Sequence, residues 1–507
     1  MTDVLTPMEV KKALLAGCEE KIADEHKKGK LTSRERIARV LDAGSFMETN
    51  VFMKRANAAC CSGEDQAGES VITGYGTVDG RPVYVYAQDF TVMSGALGQM
   101  HAKKICNVYD AAMKTGVPVL AIMDTAGARI EEGMSALDGY AQIYKRSVDA
   151  SGLIPQIALV CGPCPGAAAF AAALCDFTIV VDKNGAVFGR GPQVISAAEG
   201  KQVSAQDLGG AMVSSEKSGL AQIFATNEDD GIAKARMLLK LLPSNNLEDA
   251  PADLCEDDLN RECPALNGYV AGESDMHLTV EAIADAGSVL EIMPYYALNM
   301  VTALATVNGR SVGIIGNNPA DKGGIVDIAA ADKAARFIRV CDSFNLPLIV
   351  LVDSMGLPVE LKQEHGGLIR HGAKLIYALA EASTAKVVVV AGHAIGSAYS
   401  LMASKSLGMD MVYAWPQASI CAVEPEAAAT LLYEKEIAAS ANPIEARSEY
   451  AKQYAAEQGG ALRAAELGLV DDVIEPALTR PVVASALELL WSKRENRLPK
   501  KHGNMPL

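Results

Sequence analysis

Two apolar runs, Val119–Met123 (VLAIM) and 348–352 (LIVLV), carry no polar alternation, the pattern of strands covered on both faces of a parallel sheet. Residues 330–345 (AADKAARFIRVCDSFN) instead set Ala334, Phe337, Ile338 and Cys341 on one face at helical spacing. Asp79-Gly80 and Asn308-Gly309 lie between strand-like stretches and predict tight hairpins, because both residues of each pair tolerate positive φ. Residues 11–28 are heavily charged, with their apolar positions mostly in the first half, and predict a helical lead-in.

These elements occur twice. Residues 77–83 read TVDGRPV and residues 306–312 read TVNGRSV, 229 positions apart and identical at five of seven. The same offset relates Pro118 to Pro347, Asp124 to Asp353 and Gly127 to Gly356. An offset of 230 then relates Gly162 to Gly392 and Gly166 to Gly396. Each half therefore runs as a hairpin, a helix, a strand ending in Asp-x-x-Gly, a second helix, a strand and a Gly-rich loop. Residues 242–275, rich in Pro, Asn, Asp, Glu and Gly, read as a linker with some local structure. A chain of 507 residues exceeds what one hydrophobic core serves, and the pattern predicts two α/β domains, 1–260 and 261–507.

Charge narrows the function classes. With 62 acidic against 46 basic residues, the formal charge of −16 argues against a nucleic-acid partner and against simple attraction to anionic lipid. The longest charge-free stretch, 150–175, is broken by Pro155, Pro163 and Pro165, and the polar start lacks a signal peptide's apolar segment, so a cytoplasmic protein is expected. Eleven scattered Cys suit reduced thiols. Cys161-Gly-Pro-Cys164 spells a redox CxxC without its usual surroundings, and Cys60-Cys61 has no second pair for a zinc ribbon; no metal site is expected.

No GxSxG, HExxH, P-loop or distinctive carboxylate pair is evident. What stands out is a pair of small-residue loops, 162–168 (GPCPGAA) and 392–398 (GHAIGSA), each following a strand and opening a helix. Such a loop either permits close helix-to-strand packing or leaves first-turn N–H groups aimed at an oxyanion. Its occurrence at equivalent places in both halves favours function. Asp124 and Asp353 read as organisers of the strand-to-loop turn rather than bases, and His393 is the histidine closest in sequence to a loop's centre.

Seven stretches in order resemble the biotin-dependent acyl-CoA carboxyltransferases, the family of propionyl- and acetyl-CoA carboxylase β subunits and sodium-pumping methylmalonyl-CoA decarboxylase α subunits. They are GKLTSRERIARVLDAGSFME (29–48), GRPVYVYAQDFTVMSGALG (80–98), KTGVPVLAIMDTAGARIEEG (114–133), SGLIPQIALVCGPCPGAAAF (151–170), DKAARFIRVCDSFNLPLIVLVD (332–353), EHGGLIRHGAKLIYALAEA (364–382) and YAWP (413–416). The resemblance implies two tandem crotonase-like ββα superhelix domains, a homo-hexamer, and an active site shared between the first half of one subunit and the second half of another.

It further implies that backbone N–H groups of Gly166 and Ala167 stabilise the thioester oxygen of acyl-CoA as an enolate, and that Ser397 and Ala398 do the same for the ureido oxygen of biotin, with Gly396, Tyr399 and Ser400 lining that cofactor. Gly127, Ala128 and Arg129 match the end of a GGAR stretch near the CoA region, although turn chemistry plus a surface cation would read the same. Departures fall on the loops: Ala167 and Ser397 each replace a Gly, Ser400 replaces an Asp, and 352–357 reads VDSMGL. With no ATP-grasping loop and no biotinylation motif, the implied partners are a separate biotin carboxyl carrier protein and either a biotin carboxylase or a membrane decarboxylase subunit. A hydratase or isomerase of the same fold is disfavoured because no glutamate pair sits at the loops, and a non-catalytic scaffold remains the non-enzymatic alternative.

Overall fold

The computed structural model describes residues 6–54, 68–495 and 498–506; Cys60 and Cys61 lie outside them. The chain divides into two compact units, Met1–Glu248 and Asp249–Leu507. The division precedes the 260/261 boundary read from the sequence. Residues just after it are tied to the second unit's own hairpin: the Asp253 N–H donates to Gly309 O (2.9 Å), and Ala252 bridges Arg310.

The first unit is built on a seven-stranded sheet ordered Met47–Thr49, Val71–Val78, Arg81–Gln88, Val119–Met123, Gln156–Val160, Phe177–Val181 and Ile223–Ala225. The first three strands are antiparallel and the rest parallel, and the strands Val119–Met123, Gln156–Val160 and Phe177–Val181 are buried at every position, as their unbroken apolar runs require. The second unit repeats this order with Met300–Val307, Arg310–Asn317, Leu348–Ser354, Lys386–Ile395 and Met411–Ala414 as its centre. The paired turns adopt the expected positive φ, at Asp79 and Gly80 (49° and 78°) and at Asn308 and Gly309 (54° and 75°). A carboxylate pins each turn: Asp42 accepts the N–H groups of Asp79 and Gly80, and Asp285 those of Asn308 and Gly309.

The helix expected over 330–345 spans Ile328–Ser343, with Asp327 capping the Ala330 N–H. Its counterpart is Gln99–Thr115. Each carries a buried lysine at the repeat offset of 229, Lys104 and Lys333, whose ammonium donates to carbonyls at the entry of the hairpin: Gly68 and Val71 in one unit, Met293 and Tyr296 in the other. Burial lowers both to about 8. The lead-in forms two helices, Pro7–Ala16 and Glu19–Lys27, because Gly17 (φ 68°) reverses the chain between them.

Helix Met276–Ile283 supplies a pH-dependent contact. His277 faces Glu291 (3.2 Å) and its own cap, Asp275; the hydrogen bond with Glu291 leads in raising its pKa from 6.5 to about 9. A raised histidine stabilises the fold fully below its unfolded pKa and loses that contribution as pH rises through the folded value. An NMR titration of His277 is therefore expected to show a midpoint well above 6.5, and Glu291→Gln to lower it. A midpoint at the ordinary value in the parent protein would disprove the pairing.

Candidate functional site

Strand Val119–Met123 delivers Asp124, 1% exposed, to the floor of the first loop. Its Oδ2 accepts from Lys30 (2.6 Å) and Arg36 (2.9 Å). Arg36 also grips Glu228 through two nitrogens (2.7 and 2.8 Å), and Lys30 pairs with Glu25 (2.8 Å). Gly162 is obligatory here, since a Cβ on it would stand 1.9 Å from Asp124 Oδ1.

The second unit repeats the floor with different chemistry. Asp353, fully buried, accepts from Tyr269 Oη (2.8 Å), Gly272 N–H (2.9 Å) and His393 N–H (2.8 Å), with His393 Nδ1 at 3.1 Å. A Cβ on Gly392 would stand 2.3 Å from its carboxylate. The residue matching His393 is Pro163, which has no N–H, so Asp124 Oδ1 goes without a hydrogen bond while its Oδ2 takes both cations. Both aspartates are thus organisers of the turn, and His393 is the partner of one of them.

Donor accounting locates the groups that face a ligand. In the loop after Asp124, Thr125 N–H donates to Pro163 O, Ala126 to Ser94 O, Gly127 to Thr125 Oγ1 and Arg129 to Leu97 O, all at 2.9 to 3.0 Å. The Ala128 N–H has no acceptor among the described residues. In the next loop the Gly166 N–H is occupied by Phe188 O (2.8 Å). Gly166 is therefore not a donor, contrary to the role implied by resemblance. Its backbone at φ 58°, ψ −121° suits glycine and turns the chain into helix Ala167–Ala173. The first-turn N–H groups of Ala167 and Ala168 are the ones left without acceptors. The two loops lie against each other, because a Cβ on Gly127 (φ 99°) would meet Pro165 at 3.3 Å.

The second unit gives the same answer at the repeat offset. Gly396 N–H donates to Cys421 O (2.9 Å), Gly356 N–H to Ser354 Oγ (3.2 Å), and Gly356 O accepts from Val326 (3.0 Å). Leu357, Ser397 and Ala398 keep their N–H groups without acceptors among the described residues, and a Cβ on Gly356 would lie 3.4 Å from Ile395 O. Tyr399 and Ser400 begin a π-helical turn, Tyr399–Ala403, where the first unit has an α-helix. In each unit two adjoining loops thus carry spare N–H groups, Ala128 or Leu357 on the strand-end loop and Ala167 with Ala168, or Ser397 with Ala398, at the helix start. In the sequence Leu357 was read only as the end of the altered stretch 352–357 and not as a donor, although adding the repeat offset of 229 to Ala128 reaches it.

Arg129 is 3% exposed, paired with Glu69 (2.9 Å) and Glu132 and bonded to Ala96 O (3.0 Å) and Ser70 Oγ (3.2 Å). A guanidinium so enclosed is not offered to a phosphate, which corrects its assignment as a CoA ligand. Cys161 and Cys164 are buried thiols, the former pushed up by burial to about 12, so neither supplies a thiolate at neutral pH. No group of three His, Cys, Asp or Glu among the described residues is arranged to hold a metal.

Residues 24–505 match the carboxyl transferase domain model, nearly the whole chain. The chain belongs to the carboxyl transferase family. The carboxyltransferase is 46% identical over 504 residues to methylmalonyl-CoA decarboxylase subunit α of Veillonella parvula, covering 98% of this chain and 97% of the relative. It is 42% identical over 502 residues to the mitochondrial propionyl-CoA carboxylase β chain of Homo sapiens, covering 98% and 92%. Among solved structures it superposes on transcarboxylase 12S, a hexamer solved with methylmalonyl-CoA and methylmalonic acid bound, with a TM-score of 0.95, 40% identity and full coverage of both chains. Its two units are tandem crotonase-like domains, as the sequence led one to expect.

Proposed function

We propose that this carboxyltransferase moves CO2 between biotin on a separate carrier protein and a short-chain acyl-CoA of the propionyl or methylmalonyl type. The observation that carries the reading is the repeated pair of spare backbone donors, Ala128 with Ala167 and Leu357 with Ser397. Each pair suits one developing oxyanion, and carboxyl transfer between a thioester and a ureido group has two. The first unit's pair would hold the thioester oxygen as negative charge moves onto it; the second would polarise the ureido oxygen. Biotin, when bound, supplies the carboxyl group and, once that group has left, a nitrogen able to take the α-proton. The residues present fit this division, since Asp124 and Asp353 are buried and engaged as organisers of the turn, and Cys161 and Cys164 are buried thiols.

Large apolar side chains stand exposed near the donors, Ile130 (90%), Met134 (86%) and Phe170 (61%) in the first unit and Val359 (100%) and Leu361 (71%) in the second. They support a homo-hexamer in which neighbouring copies cover these faces. The free thiols at the described cysteines support a cytoplasmic location. Beyond the carrier, the second partner is a biotin carboxylase or a membrane decarboxylase subunit; the similarity to the Veillonella parvula subunit favours considering the decarboxylase reading alongside the carboxylase.

The test is carboxyl transfer by the purified chain, from methylmalonyl-CoA and longer carboxyacyl-CoA thioesters to free biotin, and from free carboxybiotin to acetyl-, propionyl- and longer acyl-CoA thioesters. Transfer is expected to be fastest with the propionyl and methylmalonyl pair. Silence on every thioester by a folded, CoA-binding protein would leave a scaffold as the better account.

A further inference from the structure

The Ala128 donor is held in place by its neighbours on both sides. Gly127 O accepts from Leu97 N–H (2.8 Å) and Arg129 N–H donates to Leu97 O (2.9 Å), so the peptide carrying the Ala128 N–H is fixed against the residue just before Gly98, the N-cap of helix Gln99–Thr115. The Arg129 side chain then locks the same loop from beneath. Its partner Glu132 accepts the Gln99 N–H (2.7 Å) at that helix's first turn and fills the space where a Cβ of Gly98 would be, 2.2 Å from Oε1. Its other partners, Glu69, Ser70 and Ala96, belong to the entry of strand Val71–Val78 and to the segment before Gly98. Ser70 Oγ in turn donates to Ala96 O (2.7 Å) and meets the buried His101 Nδ1 (2.9 Å).

We propose that Arg129 is a positioning residue for the acyl-CoA reaction, acting through the Ala128 N–H by fastening loop 126–132 to the helix start and the strand entry. The inference rests on the carboxyltransferase reading above. The second unit supports it by contrast: Pro358 stands at the matching position, 229 residues on, and fixes φ after the Leu357 donor through its ring. Both units thus constrain the residue that follows the spare donor, one by a buried ion cluster and one covalently.

Arg129→Met, Arg129→Lys and Glu132→Gln, assayed by carboxyl transfer from methylmalonyl-CoA to free biotin, test this. Arg129→Met is expected to lower kcat about 100-fold, the loss typical of one misplaced oxyanion donor. KM is expected to change by no more than about threefold, because uniform binding is untouched. Arg129→Lys recovers part of the loss, since an ammonium still reaches Glu69 and Glu132 but not all four partners. A raised KM or weakened binding of CoA itself, with kcat intact, would make the guanidinium a ligand contact and overturn the proposal. Wild-type kcat in Arg129→Met would overturn it too.

Hydrogen exchange provides a readout that does not need turnover. Amide exchange across 124–133 is expected to accelerate about tenfold or more in Arg129→Met and in Glu132→Gln, which spares the Arg129 to Glu69 pair. Unchanged exchange sinks the inference even if the parent enzyme proves silent on every thioester, an outcome that would instead count against the proposed function. Should Arg129→Met fail to fold, Glu132→Gln carries both measurements.

Discussion

Replacing Arg36 with methionine is expected to destabilise the first unit by about 3–5 kcal/mol, the range for removing one partner of a buried ion pair. Arg36 is 1% exposed and donates three bonds of 2.7 to 2.9 Å to two buried carboxylates, Asp124 and Glu228. After the substitution Asp124 still has Lys30, but Glu228 keeps only the Leu31 N–H at 3.4 Å. A carboxylate left buried without a cation takes up a proton instead, so its folded pKa rises above the unfolded value. The deficit relative to the parent protein should then be largest near neutral pH and shrink as pH falls toward the ordinary carboxylate range. Urea-induced unfolding of both proteins across that pH range measures it. A difference below about 1 kcal/mol, the size of a surface pair, would mean that this cluster does not hold the strand end in place.

The second unit's floor should behave differently, since Asp353 is held by a tyrosine hydroxyl, two backbone N–H groups and His393 with no Lys or Arg, and its Asn replacement keeps an acceptor for some of them. That contrast was not readable from the repeat. The matching positions of the two aspartates and of the two glycines above them were legible, because a carboxylate that fills the space of a Cβ forces glycine at 162 and 392 wherever the fold recurs. The partners were not, because Lys30, Arg36, Glu228 and Tyr269 come from segments that the repeat does not align, and only the folded chain brings Arg36 within reach of a residue 192 positions away.

The strands and hairpins were legible for a local reason. Buried parallel strands read as uninterrupted apolar runs, and Asp-Gly or Asn-Gly turns announce positive φ in the residues themselves. The site was half legible. The helix-opening loops pointed to Ala167 and Ser397, but sequence cannot tell which N–H groups the fold already uses, so Gly166 was counted as a donor although Phe188 O takes its N–H. Ala128 was singled out for the wrong reason, as part of a cation-bearing turn, because nothing in GARI shows that the arginine turns inward to Glu69.

Converting Ala167 to proline is expected to reduce kcat by about 100- to 1000-fold, the scale of losing one oxyanion-hole donor. The substitution is chosen because Ala167 is the first residue of helix Ala167–Ala173, a position where proline's fixed φ fits and where its missing N–H has no intrahelical bond to lose. The preceding Gly166, at φ 58°, ψ −121°, occupies the mirror image of an extended conformation and so does not meet the clash that proline imposes on a helical predecessor. Stability should therefore change by no more than about 1 kcal/mol. Ala167→Val separates the lost donor from added bulk, since it keeps the N–H while enlarging the side chain. If turnover falls with proline far more than with valine, the N–H itself carries the effect. The same substitution at Ser397 should impair exchange to a comparable degree from the biotin side, because the repeat sets its N–H in the matching place. Proline at both positions with turnover within about threefold of the parent would remove the two-oxyanion account, since no other change at those positions takes away a hydrogen bond donor while leaving the helix start intact.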